Sequence, residues 1–251
     1  MTATQKGEQQ TQAVKHVVPS VSAIRPVAPS LAPLAKMLDD GIEQMGLSAR
    51  VSAAQRQSLL EYVLLLEKWN KTFNLTAVRN PIDMIGVHLL DSLAVVPMFD
   101  AFTTTSAPNI QKLNVLDVGT GAGLPGVVLA IMFPHHKIAM LDCVDKKISF
   151  VRQAKAQLNL KNAQALCARV EQLKVPGGYD IIISRAYADI AQFVKSTEHL
   201  SPPHGRLFAM KGQAVDAELT GLPAHWQVET KQQFSVPQVE GQRFLVALKR
   251  Q

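Results

Sequence analysis

The sequence holds little cysteine, 2 residues in 251. Cys143 and Cys167 make no disulfide framework, and a reduced, cytoplasmic protein is the simplest expectation. Both stand in apolar runs and are expected to be buried. No hydrophobic run reads as long enough to span a membrane, and residues 1–30 contain no continuous apolar segment of the signal-peptide kind. Membrane partners are therefore not expected. There is no internal repeat, and the sequence does not fix an oligomeric state, with a monomer as the favoured expectation. What remains is 47% hydrophobic and 18% charged, enough for one large domain or a domain with a smaller helical piece.

The net charge of +6 is unevenly spread. Residues 1–106 hold 9 Lys and Arg against 9 Asp and Glu, whereas residues 107–251 hold 17 against 11 and carry the whole excess. A local basic surplus suits a polyanionic partner such as nucleic acid, and ordinary solubility charge explains a surplus of this size equally well.

Residues 1–30 are rich in Gln, Thr, Ser, Pro and Ala without helical or strand period, and read as a flexible tail. Residues 31–106 read as a helical segment. Leu31, Leu34, Met37 and Leu38 give one apolar face. Ser52 with Gln55 makes a capping box ahead of a stripe from Leu59 to Trp69. Asn80 and Pro81 mark the start of a further helix, mostly buried through residues 88–96. From Leu113 the pattern becomes strand–helix alternation, with strands expected at 113–118, 137–141, 163–167, 179–184 and 206–210. Two longer strands, 226–234 and 243–248, are expected as an antiparallel pair at the sheet edge. Residues 107–251 should therefore form an α/β fold with a Rossmann-like, seven-stranded, mostly parallel sheet, its ligand lying beyond the carboxyl ends of the strands.

Residues 115–126, Val-Leu-Asp-Val-Gly-Thr-Gly-Ala-Gly-Leu-Pro-Gly, put a strand, a glycine turn and a helix start in succession. Gly119, Gly121 and Gly123 let backbone approach a ligand with no Cβ in the way. The helix start offers free N–H groups, and Pro125 is tolerated there because its missing N–H would be an orphan. Two ligands compete for this loop. Gly121, Gly123 and Gly126 fit the spacing of a dinucleotide site. Asp117 on the strand suits a cationic ligand instead, and Asp-Val-Gly-Thr-Gly-Ala-Gly resembles the first motif of class I S-adenosylmethionine-dependent methyltransferases.

Later strand ends add polar residues. Asp142, 19 residues after Gly123, is placed to accept from both ribose hydroxyls in either kind of site, or to cap the helix that begins near Asp145. Val170 suits the face of an adenine ring, and Glu171 reads as a site acid or a solvated helix-start acid. Arg185, in Ser184-Arg185-Ala186, is placed to meet the acceptor's base or phosphate, with a surface salt bridge as the plain alternative. Lys211, before Gly212, is a second cation near the same rim. No metal site is expected. The Asn/Asp-Pro-Pro-aromatic signature of amino-directed nucleic acid methyltransferases is missing, and so is a Pro-Cys pair. Transfer to a ring nitrogen such as guanine N7 needs neither, since its in-plane lone pair is free at neutral pH. Alignment and exclusion of water suffice, and positioning alone can contribute on the order of 7–11 kcal/mol.

From about Leu31 to the C-terminus the chain resembles the RsmG (older name GidB) family of bacterial small-subunit rRNA guanine-N7 methyltransferases. The resemblance is carried by Trp69-Asn70-Lys71, Asn74-Leu75-Thr76, His88-Leu89-Leu90-Asp91-Ser92, the glycine motif extended through Leu124-Pro125-Gly126, Ser184-Arg185-Ala186 and Lys211-Gly212. It implies a class I fold behind a helical segment, with S-adenosylmethionine as cofactor. It also implies methyl transfer to N7 of a guanine in the 530 loop of 16S rRNA (position 527 in the rRNA numbering), free or in the small ribosomal subunit. By the same resemblance, cofactor contacts fall on Gly119, Leu124, Val170 and Glu171, with Arg185 also in the site. Gly121, Gly123 and Asp142 join them on the reading of the loop and the strand end. Residues 1–30 exceed the usual family length and receive no function. His88 and Asp91, at i and i+3, share a helix face. They read as a buried hydrogen-bonded pair tying the helices to the main domain, in preference to RNA contacts. Asn70, Asn74 and Thr76 read as cap and turn residues.

Overall fold

A computed structural model describes residues 31–106 and 112–251. The expected tail at 1–30 and the expected domain start at 107 lie outside the described residues. Helix α1 (Ala32–Gln44) buries Leu34, Leu38 and Ile42. Helix α2 (Ala53–Phe73) starts at the expected box: the Gln55 N–H donates to Ser52 Oγ at 3.3 Å, and the Ser52 N–H donates to Gln55 Oε1 at 2.9 Å. It ends at Asn74, whose φ of 47° is a left-handed conformation that Asn tolerates. Asn80 caps α3 (Pro81–Met84) by accepting from the Ile82 N–H. The chain then widens into π-helical geometry over Ile85–Leu90, where the Asp91 N–H reaches back to the Gly86 carbonyl. Helices α4 (Asp91–Leu93) and α5 (Val96–Ala101) follow, and a second π-helical stretch, Phe102–Ser106, completes the segment. The helical stretch Pro81–Thr104 is long and apolar enough to cross a membrane, contrary to the expectation that no such run exists. Its most apolar part is 72% buried inside the protein, as in a core helix.

The remaining elements are β1 (Asn114–Val118), α6 (Gly126–Met132), β2 (Lys137–Asp142), α7 (Asp145–Gln157), β3 (Ala163–Cys167), β4 (Ile181–Arg185), α8 (Ile190–Thr197), β5 (Arg206–Lys211), α9 (Val215–Leu219), β6 (Trp226–Val236) and β7 (Val239–Arg250); strands and helices alternate except that a 3-10 turn, Val170–Gln172, stands between β3 and β4 and that β6 leads straight into β7. The seven strands form one sheet in the order β3-β2-β1-β4-β5-β7-β6, with β1 to β5 parallel and β7 antiparallel to both neighbours. Strand β7 sits inside and β6 forms the edge, which follows from composition. Phe244 to Leu248 are buried in succession, which requires cover on both faces, while β6 leaves most residues in contact with water.

The pleat divides the side chains between two layers. Val115, Ile138, Met140, Ile181, Ile183, Phe208 and Met210 face a core shared with α1 to α7, so the N-terminal helices lie directly on the sheet. Leu116, Val118, Leu141, Ile182, Leu207 and Val246 face a second core with α8 and α9. The same alternation sends Asp117 and Arg185 to the N-terminal helix side and Lys211 to the other.

The cysteines correct one expectation. Both are exposed, because Cys143 follows the last residue of β2 and Cys167 ends the edge strand β3, where the apolar runs leave the core.

Candidate active site

Strand order reverses at β1, which has β2 on one side and β4 on the other, and ligands in such sheets sit at this switch point. The glycine loop springs from there. The N–H groups of Gly119 and Thr120 both donate to the Leu141 carbonyl, at 2.8 and 3.0 Å, which folds the loop over β2. Gly119, Gly121 and Gly123 have φ of 68°, 59° and 89°, where a Cβ is disfavoured.

Asp117 is not presented to a ligand, as its place before the loop had suggested. It is fully buried, and its Oδ2 accepts from Thr120 Oγ1 at 2.5 Å and from the Gly126 N–H at 2.8 Å. Burial pushes its carboxyl up to about 6, against the opposing pull of those two hydrogen bonds. Asp117 therefore braces the loop from behind, joining its first turn to the start of α6. Gly126 is small for the same reason: a Cβ there would lie 2.3 Å from Met140 Cγ and 2.8 Å from Asp117 Oδ2.

A cavity of about 310 Å³ opens in front of the loop. Gly119, Asp142, Val170 and Glu171 line it, with Val118, Leu141 and Tyr187. Gly121 stands one hydrogen bond away, its N–H donating to Asp142 Oδ2 at 3.0 Å. Asp142 Oδ1 accepts from the Val144 N–H at 2.9 Å, and Lys147 Nζ lies 3.3 Å from Oδ2. Asp142 thus orients loop and helix start together, although the residue at the N-cap position of α7 is Val144. Gly123 and Leu124 are outside the lining: a Cβ on Gly123 would meet Val127 and Val151, and Leu124 is 3% exposed within the core.

Arg185 is also outside this cavity. It lines a second one of about 350 Å³ with Val87, His88, Asp91, Met210, Phe234 and Arg243. Its Nη1 donates to the Val87 carbonyl and to Asp91 Oδ2, both at 3.1 Å. The salt bridge is therefore half-buried and joins sheet to helix, in place of the surface pair considered from sequence. Ala186, with φ 53°, lines both cavities and so makes them neighbours. Lys211 borders the second cavity, but its ammonium turns to the opposite face, pairing with Glu218 at 2.6 Å and with the Ala188 carbonyl. It is not a free cation at the rim.

His88 and Asp91 do not bond to each other. His88 Nε2 meets Thr76 Oγ1 at 3.0 Å, while Asp91 pairs with Arg185 and with Arg243, whose Nε lies 3.3 Å from Oδ1. Each ties the π-helical turn to a different partner. Burial, helped by the Arg185 charge, lowers His88 to about 4, so it is neutral at physiological pH. Among the described residues its Nδ1 lacks a partner.

Four contributors escaped the reading of the sequence. Tyr187 lies against Gly119, where a Cβ would come within 2.6 Å of its ring. Tyr62 reaches the loop from α2. Phe234 and Arg243 come from β6 and β7. Only Tyr187 had a local signal, two residues after Arg185; the others arrive from distant chain.

Residues 55–246 match the family model GidB, rRNA small subunit methyltransferase G. The chain is 46% identical over 208 residues to the ribosomal RNA small subunit methyltransferase G of Janthinobacterium sp. (strain Marseille), covering 81% of this chain and 90% of the relative. It is 42% identical over 226 residues to the protein of the same name from Burkholderia pseudomallei (strain 1106a), covering 88% and 94%. Among solved structures it resembles TrmN from Thermus thermophilus, with a TM-score of 0.50 and 18% identity over 64% of this chain. The match spans 48% of that structure's length, and the likeness is one of fold. With the family model covering most of its length and relatives above 40% identity, the chain belongs to the rRNA small subunit methyltransferase G family.

Proposed function

We propose that this chain transfers a methyl group from S-adenosylmethionine to N7 of a guanine in the 530 loop of 16S rRNA, at position 527. The observation that carries the reading is the pair of adjoining cavities at the switch point, joined at Ala186, in a chain of this family. The first cavity has a volume at the low end of small-ligand sites, an apolar wall and a buried carboxylate, which fits an adenosyl group.

Asp142 already meets three donors, which leaves about one acceptor site, on Oδ1, for a ribose hydroxyl. Val170 and Glu171 line the same cavity, where Val170 would meet the face of the adenine. Gly119 brings backbone close, with Tyr187 closing the loop from above. Gly121, Gly123 and Leu124 act indirectly, by setting the loop's path. When bound, the cofactor supplies a methyl on a cationic sulfur: the N7 lone pair forms the new N–C bond as the C–S bond breaks, and that bond's electrons stay on sulfur. N7 carries no proton, so no side chain has to remove one. What the chain must do is align the base and keep water out.

Arg185 belongs to the acceptor side, where it holds Asp91 and the π-helical turn. The basic surplus of residues 107–251 supports an RNA partner, whether free rRNA or the small subunit. On this reading the protein works in the cytoplasm. The test is to map N7-methylguanine in 16S rRNA from cells with and without this protein. Loss of the modification on deletion, and its return on complementation, is expected; unchanged methylation would overturn the reading.

A further inference from the structure

The second cavity contains a carboxylate that its partners do not exhaust. Asp91 is 6% exposed. Arg185 Nη1 is 3.1 Å from its Oδ2 and Arg243 Nε is 3.3 Å from its Oδ1. Both separations are longer than the ~2.7–2.9 Å of a tight charge-assisted bond. Neither arginine grips it through two nitrogens. A carboxylate accepts about four hydrogen bonds, and among the described residues Asp91 receives these two from side chains. Acceptor capacity is left on a wall of the cavity, beside the apolar surfaces of Val87, Met210 and Phe234.

Guanine alone among the four bases carries two adjacent N–H donors on one edge, N1–H and the 2-amino group. A carboxylate meets both at once. Adenine and cytosine present a bare ring nitrogen at the corresponding place. Uracil flanks its single N–H with two carbonyl oxygens, which a carboxylate repels. The geometry of the purine adds a second constraint. N7 lies across the ring from N1 and N2, so a base held by those groups turns N7 away from Asp91. Ala186, shared with the cofactor cavity, is a wall residue on the route between the two sites.

We propose that the cavity beside the π-helical turn is the acceptor pocket, and that Asp91 selects guanine by accepting from its N1–H and 2-amino group. This rests on guanine N7 being the acceptor. Arg185 and Arg243 hold the carboxylate in place, and their second positive charge suits the phosphate of the same nucleotide. The purine gains positive charge as N7 is methylated, and a carboxylate fixed against it favours that state over the neutral base. Asp91 therefore contributes to turnover as well as to choice of base.

The test compares 16S rRNA carrying guanosine or inosine at the acceptor position, both free and assembled into the small subunit. Inosine lacks only the 2-amino group. Wild-type protein should lose about tenfold or more in kcat/KM on inosine, because a site built to bond an N–H rejects the analogue without it. In Asp91→Asn the guanosine rate should fall, the ratio of guanosine to inosine should shrink toward one, and S-adenosylmethionine binding by calorimetry should stay within a few-fold. Equal use of the two substrates by wild-type protein overturns the proposal and needs no variant, so a misfolded Asp91→Asn leaves it decidable. An undiminished ratio in a folded Asp91→Asn overturns it too. Absence of transfer to guanosine by wild-type protein would instead remove the reaction on which it rests.

Discussion

The Tyr62 hydroxyl donates to the Ala122 carbonyl across 2.7 Å, linking the middle of α2 to the glycine loop 60 residues later. Tyr62 is fully buried, and burial pushes its phenol far up, so it stays protonated as a donor. The N-terminal helices thus help to hold the glycine loop in place.

Tyr62→Phe keeps the ring and leaves the Ala122 carbonyl buried without that donor. A cost of about 1–3 kcal/mol is expected, with weaker S-adenosylmethionine binding despite no change in the cavity lining. Urea unfolding with calorimetric titration checks both, and a variant as stable as wild type would contradict the role.

Gly126→Ala and Gly121→Ala should rank against their backbone angles. Gly126 is helical, yet its added Cβ would press on Met140 and Asp117 at 2.3 and 2.8 Å, and overpacking of this kind costs about 1–3 kcal/mol. Gly121 has φ 59° but open space, its nearest atom being the Gly119 carbonyl oxygen at 4.0 Å, so it pays only the left-handed penalty of about 1–2 kcal/mol. Thermal unfolding should place Gly126→Ala below Gly121→Ala, and the reverse order would refute the packing argument.

The buried Asp117 and His88 give opposite pH dependences in one window. Asp117 is raised from 3.8 to about 6, so the folded state holds its proton longer and stability falls as pH rises through that interval. His88 is lowered from 6.5 to about 4, so the unfolded state takes up the proton first and stability falls as pH drops through that interval. Each effect is on the order of 3 kcal/mol, and together they nearly cancel between about pH 4 and 6. Asp117→Asn should expose the rising slope of His88, and His88→Gln the falling slope of Asp117. Unfolding free energies measured across this range in both variants test it; parallel curves would exclude the assignment.

Arg185→Ala and Asp142→Ala should fail in opposite ways. Arg185 lies in the second cavity, so its loss should leave S-adenosylmethionine affinity within a few-fold while transfer falls by about a hundredfold or more. Asp142 lies in the first and holds the Gly121 and Val144 N–H groups, so its loss should abolish detectable cofactor binding. Calorimetry beside single-turnover transfer separates the two, and equal effects on binding would argue against two sites.

Much of the fold was legible because its signals are local. The capping box at Ser52 and Gln55, the Asn80-Pro81 helix start and the change to strand–helix alternation at Leu113 each lie within a few residues of the structure they specify. The edge pair was legible from its length, while the inner position of β7 follows from the burial of Phe244 to Leu248 on both faces. In the site, Gly119, Asp142, Val170 and Glu171 could be placed together because each follows a strand of one parallel sheet, whose ends share a rim. Arg185 and Lys211 could not be separated in that way. Both follow strands, and only the phase of the pleat sends one to the helices and the other to α9.

The sequence by itself determined the elements, the glycine loop and the rim, since backbone dihedrals, caps and alternation are short-range properties of neighbouring residues. Tertiary structure alone decided the direction of the polar groups. Asp117 turns inward to brace α6, the cysteines emerge at strand ends, and Asp91 meets Arg185 and Arg243 from 94 and 152 residues away. Such partners are chosen by how helices pack on a sheet, where a buried charge must find an opposite charge or a hydrogen bond, and no pattern among adjacent residues encodes which one it meets.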